Sequence, residues 1–374
     1  DDVRWYELSA RGFRLQRTPL DVAGPLRAHR EASRAAWVFT SATLSVYKDF
    51  SHFTRQLGLH NARTERWESP FNYKDKALLY VPNHLPETQS PDFAQAFVDT
   101  LLPLIKASPG GVLVLCTTLR AVDYFAHLLI KACDQEDIDR PVMRQGESTR
   151  GQLIQRFRQH VNAVLVGSAS FWEGVDFPGD ILTLVAIDKL PFAPPDDPVL
   201  EARIKACREQ GGNPFFEYQI PGAAIALKQG AGRLIRTESD WGVLMVGDRR
   251  LVEKPYGKLL WRGLPSFSRT RYLEEAPSEA FKVCGYEDLS EKYQVPLIDL
   301  QKDKFKTFAI DDLQINICDS VTKVEYLINI PVLKGHCQTN ITCALKNMKG
   351  CIPNSEKRRF HTMGLHKPIA YLNK

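Results

Sequence analysis

Val112-Leu113-Val114-Leu115-Cys116 is the stretch that decides the fold. A strand with one wet face alternates apolar and polar residues. A strand that is apolar throughout is buried on both faces, as in a parallel sheet. Upstream, Ser90-Pro91 reads as a helix start, with serine as cap and proline in the first turn. Phe93, Phe97, Leu101 and Leu104 then recur at helical spacing until Gly110-Gly111 stops the helix. Downstream, Tyr124, Leu128 and Cys133 continue a second helix. The rhythm repeats further along. Ser148-Thr149 opens a helix with Leu153, Ile154 and Phe157 inward, and 163–166 is the next strand. Strand 181–187, helix 198–208, helix 220–235 and strand 242–246 follow. Near the start, Ala36-Trp37-Val38-Phe39-Thr40 reads as one more buried strand, with Ser41-Ala42-Thr43 as its exit. Before it, residues 1–35 are polar and arginine-rich, and Pro19 and Pro25 prevent a long helix. The expected class is α/β, a parallel sheet covered by helices on both faces. In such sheets the working residues sit at the carboxyl ends of the strands.

The chain has 374 residues, a length suited to two or three domains. Its 44% hydrophobic and 25% charged residues are those of a globular protein, not of a collagen-like, disordered or coiled-coil chain. No apolar run is long enough for a membrane helix. A net charge of +5 permits nucleic-acid binding without arguing for it. The opening Asp1-Asp2-Val3-Arg4 is neither a start methionine nor a signal peptide, so the chain is expected to begin inside a longer gene product. Cysteines are sparse in the larger part and form no disulfide framework. Reduced thiols and a cytoplasmic location follow as expectations.

Residues 1–276 hold 25 Arg, 10 Lys and all six Trp, whereas residues 277–374 hold 2 Arg, 12 Lys and no Trp. Five of the eight cysteines lie in that last part. Arginine and lysine do similar work on a solvated face, so physics alone rarely inverts their ratio so sharply. Two pieces of different ancestry are therefore expected to join near Glu275-Ala276-Pro277.

In the first piece three segments at strand ends carry chemistry. Thr40, Ser41 and Thr43 are small hydroxyl-bearing residues that suit either a phosphate-sensing site, a nucleic-acid backbone or merely a tight turn. Ser168-Ala169-Ser170-Phe171-Trp172-Glu173-Gly174-Val175-Asp176-Phe177-Pro178-Gly179 packs carboxylates, glycines and an indole into one loop. Buried carboxylates need partners, and glycine lets a backbone approach a ligand; solvated acids around a sharp turn are the plainer alternative. Gln229-Gly230-Ala231-Gly232-Arg233-Leu234-Ile235-Arg236 places Arg233 and Arg236 three apart, on one face if helical. Two guanidinium forks suit phosphate oxygens, although a solvated basic face gives the same pattern. Gly230 and Gly232 would thin that helix so that another backbone comes near.

In this order the three segments resemble motifs III, V and VI of superfamily 2 helicases, and most closely the DinG- and YoaA-type bacterial DNA helicases, relatives of XPD. Supporting stretches are Arg4-Trp5-Tyr6-Glu7, Ser69-Pro70-Phe71, Gln145-Gly146-Glu147 and the run from Lys189 to Pro198. The resemblance covers nearly all of residues 1–276. It implies a RecA-like fold and the second of two motor domains, with ATP and Mg²⁺ shared with an N-terminal, Walker-bearing motor domain. It implies that Arg233 and Arg236 are arginine fingers, which in general contribute about 10³–10⁵ in rate. Gln229 and Gly232 would lie near the nucleotide, and Glu173, Gly174 and Asp176 would couple nucleotide state to strand grip. Thr117 and Thr118, with Thr40, Ser41, Thr43, Ser168 and Ser170, would touch a single-stranded DNA backbone. Such contacts give salt-dependent binding with little sequence preference. The chain departs from the family in large respects. It has no G-x-x-x-x-G-K-[ST] and no Asp-Glu-x-His, and no cysteine group precedes Thr40. The ATP-binding half and the iron–sulfur cluster are thus expected in another part, and this chain alone is expected to hydrolyse no ATP.

The tail reads as an incomplete α/β unit, with a helix over 278–293 and strands over 296–300 and 324–330. His336, Cys337, Cys343 and Cys351 match no common zinc or iron–sulfur spacing, so no metal is assigned. Lys334, Lys346 and Lys349 suit an anion or a solvated basic face. Lys334, His336, Lys346, Asn347 and Gly350 resemble the central part of a domain of unknown function, family 362, some members of which carry iron–sulfur modules. Two alternatives therefore stand beside the helicase reading: a non-catalytic nucleic-acid-binding module, and an iron–sulfur or metal-associated protein defined by the tail.

Overall fold

The computed structural model describes residues 2–9, 12–33, 35–46, 48–160, 162–172, 177, 181–194, 196–238, 240–272, 286–296, 298, 300, 303–327, 334–336, 340–342, 348–353, 356, 359–360, 363 and 366–372. The chain opens with an antiparallel ribbon, β1 (Asp2–Ser9) and β2 (Gly12–Pro19). A seven-stranded sheet follows, built from β3 (Ala77–Tyr80), β4 (Gly111–Leu115), β5 (Val142–Arg144), β6 (Val164–Gly167), β7 (Leu182–Ile187), β8 (Gly242–Val246) and β9 (Ser268–Thr270). The order is β5-β6-β4-β7-β8-β3-β9, and every pairing is parallel. The run chosen from sequence is the middle of this sheet: Leu113 pairs with Leu165 on one side and Val185 on the other.

Alternate side chains of β4 feed two separate cores. Leu113 and Leu115 join Leu165, Val185, Ile187, Leu244 and Val246 on one face. Val112, Val114 and Cys116 join Val164, Val166, Ala186 and Met245 on the other. The second face is covered by α1 (Phe93–Ala107) and α2 (Leu119–Gln135). The first is packed by α3 (Arg150–Gln159) and α5 (Ile220–Ala231), with α4 (Pro198–Glu209) preceding α5 in the chain. Each fully buried aliphatic side chain contributes about 1.5–3 kcal/mol relative to exposure. An α/β parallel sheet covered on both faces is therefore the fold of this part. Two helix starts follow sequence: Thr149 and Gln152 form a reciprocal capping box, and Asp197 caps Leu200 N at 2.7 Å with Pro198 next to it. The start expected at Ser90-Pro91 does not: α1 begins at Phe93 after Asp92 with no side-chain cap, and Ser90 Oγ accepts from Asp92 N at 3.3 Å in the turn before it.

Some expectations fail. Residues 36–40 form no strand, and Val38 is 83% exposed. An apolar pentapeptide is a strand only where a ladder accepts it, and the first strand of this sheet is instead Ala77–Tyr80, every residue of which is buried. The helix expected over 220–235 ends at Ala231, with Gly232 as its cap. In the tail, described residues 296, 298 and 324–327 are not strand, and Tyr326 is 82% exposed. The regular structure there is a helix (Tyr286–Tyr293), an antiparallel pair β10 (Phe305–Ile310) and β11 (Leu313–Cys318), a second pair β12 (Lys334–His336) and β13 (Asn340–Thr342), and a helix over His366–Leu372. Ile315, Ile352, Phe360, Ile369 and Leu372 form its own small core. Among the described residues no helix is long and apolar enough to cross a membrane.

Candidate functional site

The carboxyl ends of β4, β6, β7 and β8 lie side by side, and the chain after each one carries the polar residues of interest. At the centre is Trp172. It follows β6 on a short helical turn, Ala169–Trp172, and is 5% exposed. Its indole Nε1 donates to the Cys116 carbonyl at the end of β4 at 3.3 Å. Its own carbonyl accepts from Arg233 Nε at 3.1 Å and from Arg233 Nη2 at 2.6 Å. The indole packs closely against α5 at position 230, where the residue is glycine: a Cβ there would stand 3.0 Å and 3.1 Å from Trp172 ring carbons and 3.3 Å from Leu115 Cδ1. What Gly230 admits is thus a side chain of the same domain, and not another backbone. Gly232 has a different use, as the end cap of α5.

Arg233 and Arg236 do not share a helical face. Both follow the end of α5, in a turn where Asp240 accepts from Arg236 N at 2.7 Å, Thr237 N at 2.9 Å and Thr237 Oγ1 at 2.6 Å. Arg233 is turned inward, 8% exposed, onto the Trp172 carbonyl. Arg236 is exposed. The sequence periodicity failed here because the helix ends at Gly232 and buried Asp240 holds the following turn, before the arginine pair can continue it. Glu173, Gly174 and Asp176 lie outside the described residues.

Thr117 and Thr118 follow β4. Thr118 is exposed and caps α2, its Oγ1 accepting from Ala121 N at 3.1 Å. Thr117 is half-buried above Asp188, a fully buried residue (0% exposed) at the end of β7. The Asp188 carboxylate accepts from Thr117 N at 3.1 Å, from Thr117 Oγ1 at 3.4 Å and from Lys189 N at 2.6 Å. Burial pushes its carboxyl up to about 7 against these hydrogen bonds, which act in the other direction. Burial likewise raises the adjacent Cys116 thiol, with the Asp188 charge as a second cause. The next strand end holds a second buried carboxylate, Asp248. It accepts from Leu190 N at 3.0 Å and is gripped by Arg250, whose Nη2 donates at 2.6 Å and Nε at 2.9 Å. The loop after β7 is therefore pinned by both aspartates.

Ser168 is buried, and its N and Oγ donate to Gln145 Oε1 at 2.7 Å and 3.2 Å. Ser170 is exposed, and its carbonyl accepts from Arg150 Nε at 3.0 Å. Thr40 and Ser41 are exposed and Thr43 is half-buried. Their loop is tied to α5 by Lys228 Nζ, which donates to the Ala42 carbonyl at 2.6 Å. Gln229, next to that lysine, is half-buried on α5. The structure thus gathers Thr117, Trp172 and Arg233 through Cys116 and the indole, and holds the Thr40–Thr43 loop against the helix that carries Gln229. Sequence reading missed Asp188, Asp248 and Lys228 as participants. An acid directly after an apolar strand, as in Ile187-Asp188 and Gly247-Asp248, is the signal that marks the first two. Among the described residues no group of three or more His, Cys, Asp or Glu is placed to hold a metal.

The family model described as a helicase C-terminal domain matches residues 101–267, which take in β4 to β8, the indole loop and the arginine turn. A second model, a domain of unknown function (DUF362), matches residues 233–374 and begins inside the first match. The chain is similar to the ATP-dependent DNA helicase YoaA of Haemophilus influenzae, 46% identical over 271 residues that make up 72% of this chain and 42% of that protein. It is 37% identical over 280 residues to the ATP-dependent helicase DinG of Mycobacterium tuberculosis, covering 72% of this chain and 41% of the other. With the 3'-5' exonuclease DinG of Bacillus subtilis it shares 33% identity over 285 residues, 72% of this chain and 30% of that one. The chain thus spans well under half the length of these relatives. A solved structure described as XPD_Helicase aligns at 18% identity and a TM-score of 0.46, over 62% of this chain and 42% of that one.

Proposed function

We propose that residues 1–276 act as the C-terminal motor half of an ATP-dependent DNA helicase, in which ATP hydrolysis drives movement along single-stranded DNA. The observation that carries this reading is the bridge from Cys116 through Trp172 to Arg233, which links the end of β4 to the arginine turn. A phosphate-sensing turn and a strand-gripping edge must be mechanically joined for such a motor to work. Within this reading Arg233 holds the Trp172 loop, and exposed Arg236 is the guanidinium that reaches a γ-phosphate. Gln229 and Gly232 lie on the nucleotide side. Glu173, Gly174 and Asp176 keep the coupling role that the resemblance gives them. Thr117 and Thr118, with Thr40, Ser41, Thr43, Ser168 and Ser170, form the DNA side; buried Ser168 acts there through Gln145.

The residues present fit only the γ-phosphate end of ATP. Arg236 offers a fixed cation, but no Walker lysine sequence exists in this chain to cradle the remaining phosphates. ATP and Mg²⁺ are accordingly shared with an N-terminal, Walker-bearing motor domain, which is also the place for an iron–sulfur cluster. A junction near residue 276 separates this motor half from the tail, and the compartment is the cytoplasm. The test is reconstitution. The chain alone binds an oligothymidylate and hydrolyses no ATP; mixed with the Walker-bearing half of a YoaA-type relative, it restores DNA-stimulated hydrolysis. Arg236→Ala lowers that turnover by at least about 10³-fold. DNA-stimulated hydrolysis by the purified chain, or full turnover with Arg236→Ala, refutes the reading.

A further inference from the structure

The motor reading gives Asp188 no role, yet the residue is costly where it stands. A carboxylate with no exposed surface must be compensated by donors, and a neutral side chain would satisfy the same pocket more cheaply. Its Oδ1 takes the backbone N–H groups of Thr117 and Lys189, at 3.1 Å and 2.6 Å. Its Oδ2 has the Thr117 hydroxyl, at 3.4 Å. That last contact matters for a phosphate. While Asp188 is ionised, the Thr117 hydroxyl proton points inward at Oδ2, and only lone pairs face outward. A negative charge also sits directly behind the turn. Both effects oppose an incoming anion. When Oδ2 carries a proton, the hydrogen bond reverses: Oδ2–H donates to Thr117 Oγ1, and the threonine hydroxyl is released to donate to a phosphate oxygen. The backbone bonds to Oδ1 are unaffected.

Resting on the proposed contact of Thr117 and Thr118 with DNA, we infer that binding of a backbone phosphate at this turn is coupled to uptake of one proton by Asp188, so that single-stranded DNA is held more tightly in mildly acidic than in mildly basic solution. The proton comes from solvent, no other bond changes, and the carboxyl's shift toward neutrality places the transition in an accessible range. The neighbouring ionisable groups do not supply it. Cys116, from β4, is a thiol that burial keeps protonated. Lys189, on the same loop, has its ammonium over the Phe93 ring of α1. Asp248, after β8, already carries Arg250.

The experiment measures the affinity of the full chain for a fluorescein-labelled oligothymidylate at pH 6 and pH 8.5, at fixed ionic strength. If phosphate binding raises the carboxyl by about one unit, the chain binds on the order of fivefold more tightly at pH 6, less whatever Asp188→Asn shows over the same interval. Asparagine reproduces the protonated hydrogen bonds, so this variant binds at pH 8.5 with the affinity the unaltered chain reaches only at pH 6. Thr117→Val binds more weakly and has a smaller pH dependence, because only the effect of the Asp188 charge remains, and it serves if the asparagine variant does not fold. Equal pH dependence in the unaltered chain and both variants overturns the inference while leaving the DNA reading intact. An absence of binding at either pH overturns the DNA reading itself.

Discussion

Replacing Asp188 by asparagine should stabilise the protein, increasingly so as pH rises. The carboxyl is fully buried and titrates at about 7 in the folded chain against a reference of 3.8. An acid raised in this way binds its proton more tightly when folded. Its cost to stability is absent below about pH 4, grows through the interval up to about 7, and is complete above it. Raising the carboxyl from 3.8 to about 7 corresponds to about 4 kcal/mol between its two protonation states. Asparagine has the same shape. Its Oδ1 accepts from Thr117 N and Lys189 N, and its amide donates to Thr117 Oγ1, so no polar group is stranded. The assay is urea unfolding of both proteins from pH 4.5 to pH 8.5. The expected result is a gain for the variant of no more than about 1 kcal/mol at the acidic end and of about 2–4 kcal/mol at the basic end. A variant that is less stable at pH 8.5, or whose offset does not change with pH, refutes the account of the pocket.

Arg233 and Arg236 should separate cleanly in the same assay. Arg233→Ala removes two charge-assisted bonds to the Trp172 carbonyl and costs about 2–4 kcal/mol, whereas exposed Arg236→Ala changes stability by less than about 0.5 kcal/mol. Thr118→Ala removes the cap of α2 and costs about 1 kcal/mol by thermal or chemical denaturation. Gly230→Ala adds a methyl at 3.0 Å from the indole; overpacking of about 1–3 kcal/mol outweighs the helical gain of about 1 kcal/mol, and Trp172→Phe in the same chain recovers part of the loss.

The sheet was legible because β4, β6, β7 and β8 are apolar on both faces, so period and burial agree. Ala77–Tyr80 was equally legible and was passed over, while 36–40 carried the same signal without forming a strand. Composition marks a run as able to be buried; only the presence of a neighbouring ladder decides whether it is. The site was half legible. The segments with Thr117, Trp172 and Arg233 were identified, but the orientation of Arg233 was not, because helical phase cannot be continued past Gly232 and Asp240. Asp188 escaped for a different reason. A carboxylate after a strand looks like the start of a loop, and only its zero exposure and its bonds to Thr117 reveal otherwise.

The contact between Gly230 and Trp172 also constrains how this protein can vary over time. A β-carbon at 230 would crowd the indole, with ring carbons at 3.0 Å and 3.1 Å, so one of the two must give way. The two positions are therefore expected to drift as a pair. A lineage that trims the ring first can later gain a side chain on the helix, whereas one that attempts the reverse order must pass through a strained intermediate.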